Sequence, residues 1–225
     1  MDHTSKFIVI TGGANGIGRC ITESFLNAGA YVVIIDIDKA AGEALQSRFP
    51  KLCFFHGDIA EKATLEAFTD TIARPVDALI NNACISRKGL LSGCSWDDFE
   101  YVQHVGVTAP YYLTSLLLRK NLLADGASIV NIASTRAFQS QPDTESYSAA
   151  KGGIIALTHA MAVSLAGKAR VNSISPGWIE TTGISQHSAQ DKYQHPAGRV
   201  GKPEDIAGMV LYLCSEQDGF ITGEN

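Results

Sequence analysis

Hydrophobic residues occur in short continuous runs that are separated by longer segments with helical periodicity. The runs cover residues 7–10, 31–35, 52–55, 78–80, 129–132 and 171–174. Continuous rather than alternating apolar residues are typical of parallel strands that are covered on both faces. Apolar positions at helical spacing cover about 17–28, 38–48, 61–73, 95–123, 147–166 and 203–214. The alternation predicts one α/β domain over residues 1–225, built on a doubly wound parallel sheet.

Composition excludes several classes of protein. The 225 residues are 45% hydrophobic and 18% charged, with a net charge of −5, which excludes a disordered chain. No block of Lys or Arg predicts a nucleic-acid or membrane-surface partner, and no apolar run has the length of about 20 residues that a membrane span needs. Five cysteines without a CxxC pair, and an N-terminus unlike a signal peptide, favour the reducing cytoplasm and no metal site.

A glycine-rich loop follows the first predicted strand and leads into the first predicted helix. It reads Thr-Gly-Gly-Ala-Asn-Gly-Ile-Gly over residues 11–18. Glycines allow a tight turn close to a pyrophosphate, and a helix N-terminus offers free N–H groups. A structural turn is the alternative, but the position between strand and helix favours a dinucleotide. We expect Gly12, Asn15, Gly16, Ile17 and Gly18 to bind it.

Asp36 ends the second predicted strand, eighteen residues after Gly18. A carboxylate at this position accepts hydrogen bonds from the adenosine ribose and repels a 2′-phosphate, so we expect NAD in preference to NADP. Alternatively, Asp36 only caps the next helix, a role that Asp38 would fill equally well.

A Tyr-x-x-x-Lys pair, Tyr147 and Lys151, lies in a predicted helix. The i, i+4 spacing places both side chains on one helix face. A nearby ammonium favours the phenolate, so Tyr147 is a candidate general acid or base. Ser134, thirteen residues before Tyr147, ends the fifth predicted strand and can donate a hydrogen bond to a substrate oxygen.

Together these motifs make the sequence similar to the short-chain dehydrogenase/reductase family over nearly its whole length. The residues that carry the resemblance are Thr11-Gly12-x-x-x-Gly16-x-Gly18, Gly57-Asp58, Asn81-Asn82-Ala83, Ser134, Tyr147-x-x-x-Lys151, Pro176-Gly177 and Ile221-Thr222-Gly223. The resemblance implies a Rossmann-like three-layer αβα fold and an NAD(P)-dependent interconversion of alcohols and carbonyls.

The resemblance also implies individual roles. Tyr147 would move the proton to or from the substrate oxygen, Lys151 would hold the nicotinamide ribose and tune Tyr147, and Ser134 would orient the substrate. Further cofactor contacts would come from Asp58, Ile59, Asn81, Ala83, Pro176, Gly177, Ile179 and Thr181. The hydride chemistry itself belongs to the cofactor.

Two residues depart from the family pattern. Cys84 replaces the glycine that usually ends Asn-Asn-Ala-Gly, and it is interpreted either as a buried small residue or as a redox-active thiol. Gly106 stands where a catalytic Asn is expected. Because Pro110 has no N–H, the Gly106 carbonyl is deprived of its helical partner and can hold a relay water. The alternative is that Gly106 only allows close packing.

The substrate side is less defined. The segment of about 177–202 is the expected substrate loop, and we expect Ser134, Phe138, Gln141 and Trp178 to face the substrate. Arg87 and Lys88 follow the fourth strand and either attract an anionic substrate or are simply solvated.

The leading hypothesis is an NAD-dependent oxidoreductase that acts on a secondary alcohol or ketone. The alternative is a dinucleotide-binding, redox-responsive module with little turnover, suggested by Gly106 and Cys84. The family implies a homodimer or homotetramer packed through the helices at 95–123 and 147–166. It also implies a further strand and a tail after Ile-Thr-Gly, so we expect either an omitted end after Asn225 or an uncovered sheet edge.

Overall fold

The structure is a computed structural model that describes residues 1–183 and 186–225. Ile184 and Ser185, within the expected substrate loop, lie outside the described residues. Each of the six predicted strands is present and parallel to its neighbours. The strands are β1 (Phe7–Thr11), β2 (Tyr31–Asp36), β3 (Leu52–His56), β4 (Val76–Asn81), β5 (Leu123–Ile132) and β6 (Ala169–Ile174). The sheet order β3-β2-β1-β4-β5-β6 confirms the doubly wound topology.

The helices occupy the segments between the strands. They are α1 (Gly16–Asn27), α2 (Lys39–Arg48), α3 (Lys62–Asp70), α4 (Trp96–Gln103), α5 (Ala109–Arg119), α6 (Glu145–Ser164), α7 (Ala189–Tyr193) and α8 (Pro203–Leu213). The short helix α7 was not predicted. The prediction of one helix over 95–123 is wrong, because a π-turn at His104–Thr108 separates α4 from α5 and residue 123 already belongs to β5.

The π-turn has a cause in the sequence. The N–H of Ala109 donates to the carbonyl of His104, five residues earlier, and Pro110 follows immediately. Proline cannot donate the usual hydrogen bond to the carbonyl four residues before it, which is that of Gly106. Such single-turn π segments are frequent at functional sites.

The sheet separates two hydrophobic cores, because alternate side chains along each strand point to opposite faces of the sheet. On one face, Ile8 and Ile10 of β1 pack with Phe25 of α1 and Val210 of α8. On the other face, Val9 packs with residues of α3, α5 and α6. Both faces of the sheet are therefore covered, as the continuous apolar runs predicted.

The carboxyl ends of the strands meet along one edge of the sheet, and the strand order reverses between β1 and β4. Ligands of open parallel sheets bind in the crevice at such a reversal. Thr11, Asp36, Asn81 and Ile132 end their strands at this edge.

The C-terminal residues lie beside β6. The N–H of Gly223 donates to the Val171 carbonyl at 2.7 Å, and the N–H of Ser173 donates to the Glu224 carbonyl at 2.8 Å. Over these residues the outer edge of β6 is thus paired by backbone hydrogen bonds, so the alternative of an uncovered edge does not hold there. Across the described ranges, no helix is long and apolar enough to cross a bilayer.

Candidate active site

A cleft of about 1190 Å³ opens at the carboxyl edge of the sheet. It is lined by the glycine loop, by the ends of β2, β4 and β5, by the start of α6 and by the segment after β6. The cleft brings most of the predicted site residues together. Those that line it are Gly12, Asn15, Gly16, Ile17, Gly18, Asp36, Asp58, Ile59, Ala83, Ser134, Gln141, Tyr147, Lys151, Pro176, Gly177, Trp178, Ile179 and Thr181.

Glycines allow the backbone of the glycine loop to lie close to the start of α1. Gly12 has a φ of +65°, in the left-handed region that favours glycine. A Cβ at Gly18 would overlap the carbonyl oxygen of Gly12. At the start of α1, the side chain of Asn15 makes no capping hydrogen bond and the first turn has no acidic residue. The positive end of α1 is thus left open for an anion.

Asp36 organises the loop rather than capping a helix. Its carboxylate accepts the N–H of Ala14 at 2.9 Å and the N–H of Asp38 at 3.0 Å. Asp38 is the residue that caps α2, accepting the N–H of Ala41 at 3.0 Å. The helix-capping alternative for Asp36 is therefore wrong, and its carboxylate lines the cleft.

Asp58 lies at the same end of the cleft and has a partner that the sequence analysis missed. The hydroxyl of Tyr101, from α4, donates to Asp58 at 2.8 Å. Burial and the Asp58 carboxylate raise the pKa of Tyr101 to about 12, so the phenol remains a donor at neutral pH. We assign to Tyr101 the role of orienting Asp58. The position of Tyr101 in a helical pattern did not indicate this contact in the sequence.

The two asparagines after β4 have different positions. Asn81 is buried, does not line the cleft, and donates to Asn131 at 2.8 Å, which in turn donates to Thr158 of α6. Asn82 lines the cleft and donates to the carbonyl of Gly12 at 2.8 Å. The structure therefore places Asn82, rather than the predicted Asn81, against the glycine loop. Asn81 instead ties the sheet to the helix that carries Tyr147.

Tyr147, Lys151 and Ser134 form the predicted constellation. The Lys151 Nζ lies 5.4 Å from the centre of the Tyr147 ring and donates to the carbonyl of Ile132 at 2.6 Å. The Ser134 hydroxyl lies on the Tyr147 side of the cleft and favours the Tyr147 phenolate. All three side chains line the cleft.

The protonation of these groups is shifted by burial. Burial raises the pKa of Tyr147 to about 12; a Cys84 thiolate adds to this, whereas the Ser134 hydrogen bond and the Arg136 charge oppose it. Lys151 is 3% exposed, and burial lowers the pKa of its ammonium. The site therefore holds a protonated phenol at neutral pH, ready to donate a proton.

Cys84 lines the cleft as an exposed free thiol. The expectation of a buried small residue is thus wrong. Among the described residues, positive φ outside glycine occurs at Ser5, Asn121 and Asp143, so Cys84 replaces the expected glycine without left-handed strain.

Gly106 packs against the helix that carries the catalytic pair. A Cβ at Gly106 would lie 2.8 Å from the Cβ of Ala150, the residue before Lys151. Real Cβ atoms do not approach this closely, so any larger residue at 106 pushes on α6. The packing interpretation of Gly106 is therefore supported by direct contact.

We expect Gly106→Ala to lower the free energy of unfolding by about 1–3 kcal/mol through overpacking. This outweighs the roughly 1 kcal/mol by which alanine is favoured over glycine in a helix. Urea denaturation measures the change, with Gly208→Ala as the control because nothing lies within 4 Å of a Cβ there. Adding Ala150→Gly to Gly106→Ala relieves part of the loss. A Gly106→Ala protein as stable as wild type contradicts the packing role.

The segment after β6 forms one wall of the cleft. Gly177 has no room for a Cβ because the ring of His195 lies against it. The N–H of Trp178 donates to His195 Nε2 at 3.3 Å, and the N–H of Gly201 donates to the Trp178 carbonyl at 3.0 Å. These contacts hold Trp178, near the start of the loop, against His195 and Gly201 near its end.

The expected substrate residues are not all brought together. Ser134, Gln141 and Trp178 line the cleft, whereas Phe138 does not and is 67% exposed. Arg87 and Lys88 also lie outside the cleft lining, and Arg87 pairs with Asp98 at 3.5 Å. Residues of the substrate wall that sequence reasoning missed are Thr135, Arg136, Asp191 and Gln194.

Comparison with known proteins identifies the family of this chain. A family model described as "Enoyl-(Acyl carrier protein) reductase" matches residues 12–225. An oxidoreductase of Thermotoga maritima is 43% identical over 98% of this chain and 93% of its own length. A 3-oxoacyl-[acyl-carrier-protein] reductase of Aquifex aeolicus is 35% identical over 97% of this chain and 94% of its own.

Two solved structures have the same fold. An apo SCOR enzyme from Clostridium thermocellum is 46% identical, with a TM-score of 0.90 over 97% of this chain and 89% of that chain. A 3-ketoacyl-(acyl-carrier-protein) reductase from Brucella melitensis complexed with NADH is 30% identical, with a TM-score of 0.89 over 99% of this chain and 96% of that chain. The chain therefore belongs to the short-chain dehydrogenase/reductase family, and it is an NAD(P)-dependent oxidoreductase that acts on CH–OH and C=O groups.

Proposed function

We propose that the enzyme transfers a hydride between NAD(H) and a secondary alcohol or ketone, with Tyr147 as the general acid or base. The observation that carries the proposal is the cleft in which Ser134, Tyr147 and Lys151 converge at the end of β5. The nicotinamide, when bound, supplies or accepts the hydride.

The chain's own residues account for the proton. In ketone reduction, Ser134 donates a hydrogen bond to the carbonyl oxygen, and the Tyr147 hydroxyl donates its proton to that oxygen. The Lys151 ammonium, 5.4 Å from the Tyr147 ring, stabilises the phenolate that forms. We also propose that the Gly106 carbonyl holds a water that returns the proton, since residue 110 is a proline without an N–H.

The cleft fits a dinucleotide at its other end. The open N-terminus of α1 suits the pyrophosphate. The glycines at 12 and 18 let the loop pack tightly on Ala83 and on the start of α1, which fixes the loop beside this N-terminus. The Asp36 carboxylate suits ribose hydroxyls and repels a 2′-phosphate, which supports NAD over NADP. The complete Ser-Tyr-Lys set argues against a binding module with little turnover.

We further propose a cytoplasmic homodimer or homotetramer. Five free thiols support the reducing compartment. Apolar side chains exposed on α5 and α6, including Tyr111, Ala156 and Val163, support an interface through these helices, whereas Leu116 and Leu117 are buried within one chain.

The pH dependence of the two directions tests the role of Tyr147. Because the free enzyme holds Tyr147 with a pKa raised to about 12, ketone reduction is expected to be nearly independent of pH between 6 and 9. Alcohol oxidation needs the phenolate, whose fraction rises about tenfold per pH unit below the pKa, so kcat/KM for oxidation rises steeply with pH. Steady-state kinetics with a panel of ketones and secondary alcohols measure both. An oxidation rate that is flat with pH, with chemistry limiting, contradicts the role.

A further inference from the structure

Arg136 lines the catalytic cleft and has no carboxylate within salt-bridge distance in the described ranges. It lies in the short 3-10 turn Thr135–Ala137 that follows β5, and it is partly buried. Its Nη1 donates to the carbonyl of Gln139 at 2.9 Å, which fixes the side chain without neutralising it. A guanidinium has five N–H donors, so most of them remain available.

The other arginines of the chain are engaged differently. Five pair with carboxylates, and two lie over aromatic rings without a carboxylate partner. The first group is Arg19, Arg48, Arg87, Arg170 and Arg199, and the second is Arg74 and Arg119. Arg136 differs from both groups, because it makes neither contact within the described residues.

The carboxylates closest to Arg136 along the chain are held by other groups. Asp143 accepts the N–H of Leu91 at 2.7 Å, and Glu145 accepts the N–H of Leu90 at 3.1 Å. Asp191, across the cleft, accepts both the hydroxyl and the N–H of Ser188. The positive charge of Arg136 is therefore left for a group that enters the cleft.

The position of this charge relates it to the reacting centre. The backbone N–H of Arg136 donates to the Ser134 hydroxyl oxygen at 3.2 Å. The charge of the Arg136 guanidinium acts on Tyr147. The acidic residues Asp36, Asp38 and Asp58 line the opposite, adenosine end of the cleft. Gln141 and Gln194 add polar side chains to the cleft lining. The substrate end thus has the Arg136 guanidinium, the Asp191 carboxylate that Ser188 holds, and two polar amides in its lining.

We propose that Arg136 forms a subsite for an anionic oxygen group, a carboxylate or phosphate, carried by the substrate near its reacting carbon. The inference rests on the proposed function and narrows its substrate class to acidic ketones and alcohols. A planar guanidinium matches two oxygens of such a group with parallel hydrogen bonds. We therefore place the anion site at Arg136 and not at Arg87 and Lys88, which lie outside the cleft lining.

The test compares substrates that share a reacting carbonyl and differ in charge. Acetoacetate is paired with ethyl acetoacetate, dihydroxyacetone phosphate with dihydroxyacetone, and acetoacetyl-coenzyme A with the acetoacetyl thioester of N-acetylcysteamine. Wild type is expected to prefer the anionic member of at least one of the first two pairs by about tenfold or more in kcat/KM with NADH. A preference confined to the coenzyme A pair would place the anion on a carrier arm, far from the reacting carbon, and would contradict the proposed subsite.

The variants assign the preference to Arg136. Arg136→Gln is expected to abolish the preference, because kcat/KM falls about tenfold or more further for the anionic member than for the neutral member. The change in the neutral member itself reports the loss of a charge that acts on Tyr147. Arg136→Lys, which keeps the charge, retains part of the preference. Lys88→Gln, which removes an exposed charge outside the cleft lining, leaves the preference unchanged.

A binding measurement keeps the inference independent of turnover. Calorimetric titration of the NADH-loaded Tyr147→Phe protein with each pair is expected to show tighter binding of the anionic member, lost in the added Arg136→Gln variant. No Arg136-dependent preference in any pair, or an equal loss for both members, overturns the inference even if neutral ketones are reduced. Anion binding without turnover of any pair by wild type supports the subsite and contradicts the proposed function.

Discussion

Tyr147→Phe is expected to lower kcat by about 10²–10⁴-fold, the range that general acid–base catalysis contributes. The change removes one hydroxyl from a side chain that already packs beside Lys151 and Ser134, so the fold and the cofactor site should be retained. Quenching or enhancement of NADH fluorescence measures cofactor binding, and NADH oxidation with a ketone substrate measures kcat.

Tyr111→Phe is the matched control, because Tyr111 is exposed on α5 outside the cleft lining. It is expected to match wild type in both measurements. Lys151→Met is expected to lower kcat as well, since Lys151 stabilises the phenolate. A Tyr147→Phe enzyme with wild-type turnover would remove Tyr147 from the chemistry.

Asp36→Asn is expected to shift the ratio of kcat/KM for NADH to kcat/KM for NADPH toward NADPH by about 100-fold, since like charges placed together cost several kcal/mol. The amide keeps one oxygen, which can accept the N–H of Ala14, but it loses the second oxygen, which accepts the N–H of Asp38, together with the charge that would repel a 2′-phosphate. Steady-state kinetics with both cofactors give the ratio.

Asp38→Asn provides the comparison. It removes an equal charge two residues away, but Asp38 is exposed and serves as the cap of α2. We expect a change of threefold or less in the cofactor ratio. If both variants shift the ratio equally, net charge at this end of the cleft rather than the Asp36 carboxylate sets the preference. A wild type that prefers NADPH contradicts the assignment outright.

The sheet was predictable from sequence because its signal is local. Runs such as Phe7-Ile-Val-Ile are apolar at every position, a pattern typical of strands that are buried on both faces. The helix prediction over 95–123 failed because the periodicity of side chains does not report which backbone hydrogen bonds can form. Gly106 and Pro110 keep the helical stripe of apolar residues while Pro110 removes the hydrogen bond that an α-helix needs.

The positions of the candidate catalytic residues were predictable because their spacing along the chain fixes their geometry. Tyr147 and Lys151 share a helix face, and Ser134 ends the adjacent strand. Contacts between distant segments could not be derived in this way. Tyr101 contacts Asp58 from a different segment of the chain. That Arg136 has no carboxylate partner in the described ranges is apparent only once the positions of Asp143 and Glu145 are known.

Asn81 and Asn82 show a further limit of sequence reasoning. Successive residues of a strand point to opposite faces, so one of two adjacent asparagines faces the glycine loop and the other faces the interior. The motif predicts that the pair is important without telling which residue faces the ligand. The structure assigns Asn82 to the glycine loop and Asn81 to the hydrogen-bond chain through Asn131 to α6.

Transfer of deuterium from NADH that carries deuterium at both C4 positions tests the central claim most directly. With a ketone substrate, we predict one deuterium at the carbinol carbon of the product, detected by mass spectrometry, formed about 10²–10⁴-fold more slowly by Tyr147→Phe. Product without deuterium, or labelled product formed equally fast by the Tyr147→Phe enzyme, would contradict hydride transfer assisted by Tyr147 in this cleft.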